Sequence, residues 1–348
     1  DLDILIKSLN DQIRTNELEH KYMLPYYNLS QTLYFGFRSL LDPRNDPARF
    51  PAALERLKKY TGQAEGYSPL TDLARERSSE RFSVPGLLGP YQGELEKHLG
   101  NVEQFKAGLN QAFSESGLEG WEEDLGFLTS QLDAYAEWVK QEIVPRGRED
   151  YRLPEEVYAD NLKNFGVEMD PRQLIRMAQL GFADLQMQMQ SISAQIAKER
   201  GWESADYRDV MAELGKERIP EAEVLDYYRN ILKELETIIR ENDLVTLPNR
   251  EAAIRLATEA ESAAAPVPFL SPPQLIGNTG QQGEFVLVTH SPNEEDGGEV
   301  SDFGSPASTW SLTAHEARPG HEMQFASMVE SGISQARVIL SLIHISEP

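Results

Sequence analysis

Apolar residues recur at helical spacing through most of this chain. Leu2, Leu5, Ile6, Leu9, Ile13 and Leu18 predict an amphipathic helix at the start. Pro25 interrupts it, and a second helix is expected over residues 29–41. A turn rich in Pro, Asp, Arg and Asn at 42–51 leads into a short helix at 52–60. Residues 62–90 carry Gly, Ser and Pro with weaker periodicity and predict no definite element. Two long helices follow, at 91–113 and 120–144. The second has the stripe Leu125, Leu128, Leu132, Tyr135 and Val139, and Pro145-Arg146-Gly147 closes it. Pro154 opens a helix to about residue 165, and Asp170-Pro171 opens another. In the latter Leu174, Ile175, Met177, Leu180, Leu185, Met189, Ile192 and Ile196 keep the pattern, with Met187 and Met189 read as core filler. Residues 204–214 and 221–242 add two more helices.

The pattern changes after Leu247-Pro248. Pro266, Pro268, Pro272 and Pro273 end the long helices, and the β-branched, apolar run at 284–289 predicts a strand. Residues 252–256 fit a second short strand or a turn of helix. An acidic, Gly-containing loop at 292–302 precedes a helix at 308–317, with Ser305 or Ser308 near its N-cap. No internal repeat or low-complexity tract is present. The expected fold is mainly α, a large multi-helix domain with a small β-sheet late in the chain. Residues 1–247 form the helical region. Residues 248–339 form the small sheet and a following helix that bears the candidate chemistry, within the same unit.

Composition narrows the function. The 348 residues include 33 Lys and Arg against 57 Asp and Glu, a formal charge of −24. Phosphates are repelled by such a surface, which argues against nucleic acid or an anionic membrane as the main partner. At 40% hydrophobic residues the chain is not a disordered acidic tail. No apolar run approaches the roughly 18–20 residues of a membrane span. The absence of cysteine excludes disulfides, thiol catalysis and Cys-ligated zinc or iron–sulfur centres.

The six histidines are His20, His98, His290, His315, His321 and His344. Two of them fall in Thr313-Ala314-His315-Glu316-Ala317-Arg318-Pro319-Gly320-His321-Glu322. A zinc peptidase needs two neutral imidazoles on one side of the metal and a carboxylate beside its water. The usual device is His-Glu-x-x-His, whose i,i+4 spacing stacks both rings on one helical face. The spacing here is i,i+6, which on a regular helix turns the second ring ~240° and carries it ~9 Å away. Pro319-Gly320 changes that expectation. Proline breaks a helix interior, and glycine adopts the backbone angles a break requires. A bulge at 318–320 returns His321 to the His315 side, with Glu316 aimed at the same place. The helix then resumes through Met323, Phe325, Met328 and Val329. On the residues alone a second reading stays open: a helix–turn–helix corner with one capping and one packed histidine.

The run from His315 to Gln324 resembles the signature of the bacterial family called domain of unknown function 885. Its members are regarded as predicted zinc metallopeptidases with a His-Glu-x-x-x-Gly-His motif. Glu17-Leu18-Glu19 with Leu24-Pro25-Tyr26-Tyr27-Asn28, and Leu244-Val245-Thr246-Leu247-Pro248, also resemble segments of that family. The resemblance implies a helical zinc-peptidase-like fold with His315 and His321 as Zn2+ ligands. Glu316 would be the general base that generates a zinc-bound hydroxide. It further implies that residues 284–289 are an edge strand pairing with a peptide substrate. His290 would be an ordinary loop histidine or a substrate contact, and Arg318 a solvent-facing side chain or a substrate-carboxylate contact. His20 and His98 are expected to be exposed. Family members carry a further acidic helix, of Glu-Gly-Trp type, some tens of residues after the second histidine. Nothing of that kind follows His321, and Glu330 would lie ~13 Å further along a continuing helix. The third protein ligand is therefore expected beyond residue 339.

Residues 340–348 resemble the in-frame translation of a transposon-end adapter used in sequencing libraries. Native sequence is accordingly expected to stop near Ile339, and His344 to carry no function. The expected function is a metal-dependent hydrolase, a zinc peptidase acting on peptides or small amides, present as an incomplete and inactive fragment. The alternatives are a non-catalytic helical binding or scaffold protein, and a zinc hydrolase of non-peptide amides or esters. Family members are often exported or lipid-anchored, so a periplasmic or extracytoplasmic location is expected.

Overall fold

The structure, a computed structural model, describes residues 1–265, 267–278, 280–288, 304–335 and 338. In chain order its helices begin with α1 (Leu2–Tyr22), α2 (Leu29–Leu40), α3 (Pro51–Tyr60), α4 (Leu70–Ser79), α5 (Gln92–Gly100) and α6 (Val102–Glu115). They continue with α7 (Glu122–Trp138), α8 (Glu155–Asn164), α9 (Pro171–Arg200), α10 (Tyr207–Gly215) and α11 (Glu221–Glu241). Strand β1 (Ala253–Leu256), α12 (Glu259–Ala264), β2 (Phe269–Ser271) and β3 (Glu284–Leu287) follow, then α13 (Pro306–Glu316) and α14 (His321–Ser331). The fold is mainly α, as the periodicity predicts, and divides into two compact units.

One unit comprises Ile6–Asp160 with Thr258–Ala264. Its core is aromatic and aliphatic: Tyr34 and Phe37 of α2, Leu57 of α3, Phe105, Leu109 and Phe113 of α6, and Leu125, Leu128 and Leu132 of α7. Gly108 lets α6 approach closely, because a Cβ there would meet Tyr34 Cε2 at 2.6 Å and Ala260 Cβ at 2.7 Å. The expected helix at 91–113 is two helices. The chain turns at Asn101, whose Nδ2 donates to the carbonyl of Ala263 at 2.7 Å; asparagine here bonds across to α12 rather than supporting a continuous helix. Within 62–90, α4 escapes the periodicity because it buries Thr71, Ala74 and Ser78, small residues that leave no apolar stripe. His98, expected to be exposed, is half-buried and stacks on Tyr26 with ring centroids 5.8 Å apart. His20 is exposed as expected.

The other unit comprises Asp1–Leu5, Asn161–Ala257 and the described residues after Ala264. Thus the helical stretch before residue 247 and the sheet-bearing stretch after it both contribute to it. The helix α9 starts as its sequence predicts, with the Asp170 side chain accepting from Arg172 N and Gln173 N and Pro171 in the first turn. Its apolar stripe is not core, however. Among described residues α9 buries only Ser193 and Ala197, while Leu180 and Met187 are 74% and 66% exposed, which corrects the core reading of Met187. The apolar positions of α1 behave alike: Leu2, Leu5, Ile6, Leu9 and Ile13 are all exposed.

The sheet has the order β1-β3-β2. Strand β1 runs parallel to β3 with Ile254 opposite Phe285, and β2 runs antiparallel with Leu270 opposite the same residue. The strand predicted at 284–289 is therefore the middle strand, and the edge-strand reading is overturned: both of its hydrogen-bonding sides are already paired within the sheet. Residue 289, His290, the loop at 292–302 and residues 339–348 lie outside the described residues. Phe285 meets Tyr228 of α11 edge-on, with centroids 5.8 Å apart. Ile219, Val224, Leu232, Ile254, Leu287 and Ala317 complete this second core.

Candidate metal centre

The segment from Ser305 to Ser331 is positioned by that second core. Ser305 caps α13, its hydroxyl accepting from Ala307 N at 3.4 Å and donating to Leu214 O at 3.1 Å. The helix runs to Glu316, and Ala317 N–H still bonds Thr313 O at 2.9 Å. Ala317 itself is completely buried against α11 and the sheet. The chain then turns sharply, and α14 begins at His321 with Gln324 N–H bonded to Gly320 O at 3.0 Å.

The turn does what the Pro-Gly sequence predicts. The His315 and His321 rings meet with centroids 4.8 Å apart, at an interplanar angle of 86°. Gly320 is required by space: a Cβ would lie 1.7 Å from His315 O and 2.4 Å from Ala314 O. The backbone crosses the end of α13 at a distance that no other residue permits. His321 Nδ1 faces Gln324 Oε1 at 3.2 Å. With the proton on Nδ1, that ring donates to the amide oxygen and presents its lone pair at Nε2, the orienting contact typical of metal-binding histidines. The side chain of Glu316 is buried, and its Oε1 lies 3.8 Å from Nε2 of His315, whose own side chain is 59% exposed. A buried carboxylate thus stands beside a histidine pair that opens to solvent.

Arg318 departs from both of its expected roles. It is 1% exposed, neither solvent-facing nor available to a substrate. Its Nε donates to Glu322 Oε2 at 2.7 Å, Nη1 to Glu236 Oε1 at 2.6 Å and Nη2 to the Arg250 carbonyl at 2.7 Å. Burial disfavours its charge, but the bonds to Glu322 and Glu236 more than offset this and hold its pKa above the ordinary value. Glu322 is completely buried, and its Oε1 faces Arg250 Nη2 at 3.9 Å. Glu330, on the exposed side of α14, lies 3.8 Å from Arg250 Nε. The i,i+4 spacing of Arg318 and Glu322 was a readable signal of pairing. Glu236, 82 residues from Arg318, gave none.

Among the described residues no group of three His, Asp or Glu side chains is arranged to hold a metal ion. His315 and His321 are the neighbouring imidazoles that could share a metal, and a zinc set needs at least one ligand more. No described helix is long and apolar enough to cross a membrane.

Two helices joined by a tight break, backed by a small sheet and carrying the His315–His321 pair, define a mainly helical protein with a candidate reactive corner. The chain belongs to the family described as bacterial protein of unknown function (DUF885), which it matches over residues 1–344. No curated protein matches it. A putative lipoprotein from Colwellia psychrerythraea has a similar structure, with TM-score 0.61 and 15% identity over 89% of this chain and 54% of that one. A putative lipoprotein of unknown function from Shewanella oneidensis gives TM-score 0.53 and 18% identity, covering 97% of this chain and 61% of that one. This chain thus spans less than two thirds of either relative, and at such identity the likeness establishes the fold alone.

Proposed function

We propose that this chain carries the histidine pair and catalytic carboxylate of a metal-dependent hydrolase, a zinc peptidase acting on peptides or small amides. The observation that supports it is the return of His321 to the His315 ring across a glycine that no other residue can replace, with buried Glu316 alongside. His315 and His321 would hold zinc, and a third ligand would come from residues other than those described. Zinc, when bound, polarises a carbonyl and acidifies water. Glu316, buried at the end of α13, would take a proton at its carboxylate. Non-peptide amides and esters present the same carbonyl, so the site alone does not choose among them. The two similar structures, each described as a putative lipoprotein, agree with a location outside the cytoplasm.

The second reading is a helical binding or scaffold protein in which the histidine pair carries no metal. The two are separated in a chain extended to the length of the solved relatives, by zinc content and hydrolysis of a fluorogenic peptide library. The peptidase reading expects near-stoichiometric zinc, its loss in His315→Ala/His321→Ala, and Glu316→Gln that keeps zinc but not turnover. Zinc-free protein, with a melting temperature indifferent to chelator, would establish the scaffold.

A further inference from the structure

Three of the four residues between Glu316 and His321 explain themselves: Ala317 fills the core, Pro319 ends the helix and Gly320 permits the close crossing. Among the described residues Arg318 is the largest fully buried side chain, and it sits in that connector, between the two histidines in sequence. Its three guanidinium nitrogens reach three separate parts of the fold. Glu322 is the second residue of α14, Glu236 lies on α11, and the Arg250 carbonyl precedes β1. The bond to Glu322 grips the immediate chain neighbour of His321. The other two bonds fasten the connector to the helix and the strand that back the site.

We infer that Arg318 is a positioning residue for the histidine pair, setting the approach of His321 to His315 by tying the start of α14 to α11 and the β1 entry. Helices α13 and α14 are joined by a tight turn, and a turn alone leaves the angle between two helices adjustable. The His315 side chain is 59% exposed, so its place beside His321 depends in part on how the two helices are held. Each backbone is also anchored beside the rings: Ala317 anchors the end of α13 in the core, Met323 N–H bonds back to Ala317 O at 3.3 Å, and Arg318 with Glu322 ties the first turn of α14 to the rest of the unit. A lysine cannot substitute, because one ammonium does not reach three acceptors that a planar fork meets in one plane. The polar partners of Arg318 are Glu322, Glu236 and the Arg250 carbonyl, so its effect on the pair is carried by the backbone that bears the rings.

The role has meaning for catalysis only if the metal reading holds, but its test needs no metal. In 13C/15N-histidine-labelled protein, rings 4.8 Å apart give a cross-relaxation peak between His315 and His321. Arg318→Lys is expected to weaken that peak several-fold while circular dichroism and the His20 and His98 signals stay at wild-type values. Glu236→Ala cuts one arm of the tether from a different helix and is expected to weaken the peak to a smaller extent. If Arg318→Lys does not fold, Glu236→Ala decides the matter. A wild-type cross-peak in either folded variant would overturn the inference, since a merely structural arginine would lower stability and leave the rings in contact. Zinc titration of the wild type is scored separately: no binding with the cross-peak intact counts against the metal reading alone.

Discussion

Gly320 and His315 are in contact through their backbones, so closely that an added Cβ would sit 1.7 Å from the His315 carbonyl oxygen. That contact turns an i,i+6 histidine spacing into a ring pair. Gly320→Ala must push the two helices apart, at a cost of about 3 kcal/mol, the upper end of the usual overpacking range. Urea unfolding of the variant should show a correspondingly lower midpoint. A midpoint within error of wild type would mean the connector takes another path.

Arg318→Met leaves Glu322 buried without its cation, since Arg250 stands at 3.9 Å and the pair with Arg318 at 2.7 Å. Breaking one side of a buried ion pair costs about 3–5 kcal/mol, largely through the stranded charge. Adding Glu322→Leu removes that charge, so the double variant should recover part of the loss. A thermodynamic cycle on thermal or urea melts measures the coupling, and strict additivity would contradict the pairing.

His98 gives a pH dependence of definite sign. Burial pushes its imidazole below the ordinary 6.5; Glu94 partly opposes this and Lys97 reinforces it. The unfolded chain therefore binds this proton at a higher pH than the native chain does. The stability associated with neutral His98 is complete above pH 6.5 and is lost as pH falls through the folded-state value. His98→Phe should flatten that part of the urea-midpoint profile between pH 7.5 and pH 5 relative to wild type. Parallel profiles for the two proteins would refute the assignment.

Phe113 and Phe182 look alike in a hydrophobic pattern and differ in the fold. Phe113 is completely buried and packs on Phe37 and Trp121, whereas Phe182 is 67% exposed on α9. Phe113→Ala is expected to cost about 3–5 kcal/mol. Phe182→Ala is expected to stay within about 0.5 kcal/mol. Comparable losses on urea unfolding would show that the α9 stripe is covered in solution.

Much of the element pattern was readable because it is local. Leu125, Leu128 and Leu132 mark α7 by spacing, Asp170-Pro171 starts α9 by cap chemistry, and Pro319-Gly320 announces the break before His321. These signals need only neighbours a few residues away. Asn101 was misread because its partner, Ala263, lies far along the chain and enters only when the fold closes. The long helix predicted at 91–113 failed for that reason.

What the sequence determined by itself is the mainly helical character, the late small sheet, and a His-Glu pair separated from a second histidine by a helix breaker. Each follows from backbone propensity and from periodicity over one or two turns. Tertiary structure alone decided that β3 is central rather than an edge, that the α1 and α9 stripes face outward, and that Arg318 is buried. Strand order depends on which backbone groups find partners across tens of residues, and a stripe becomes core only where another surface meets it. Arg318 tolerates burial because Glu236, 82 residues away, arrives with Glu322 to compensate its charge.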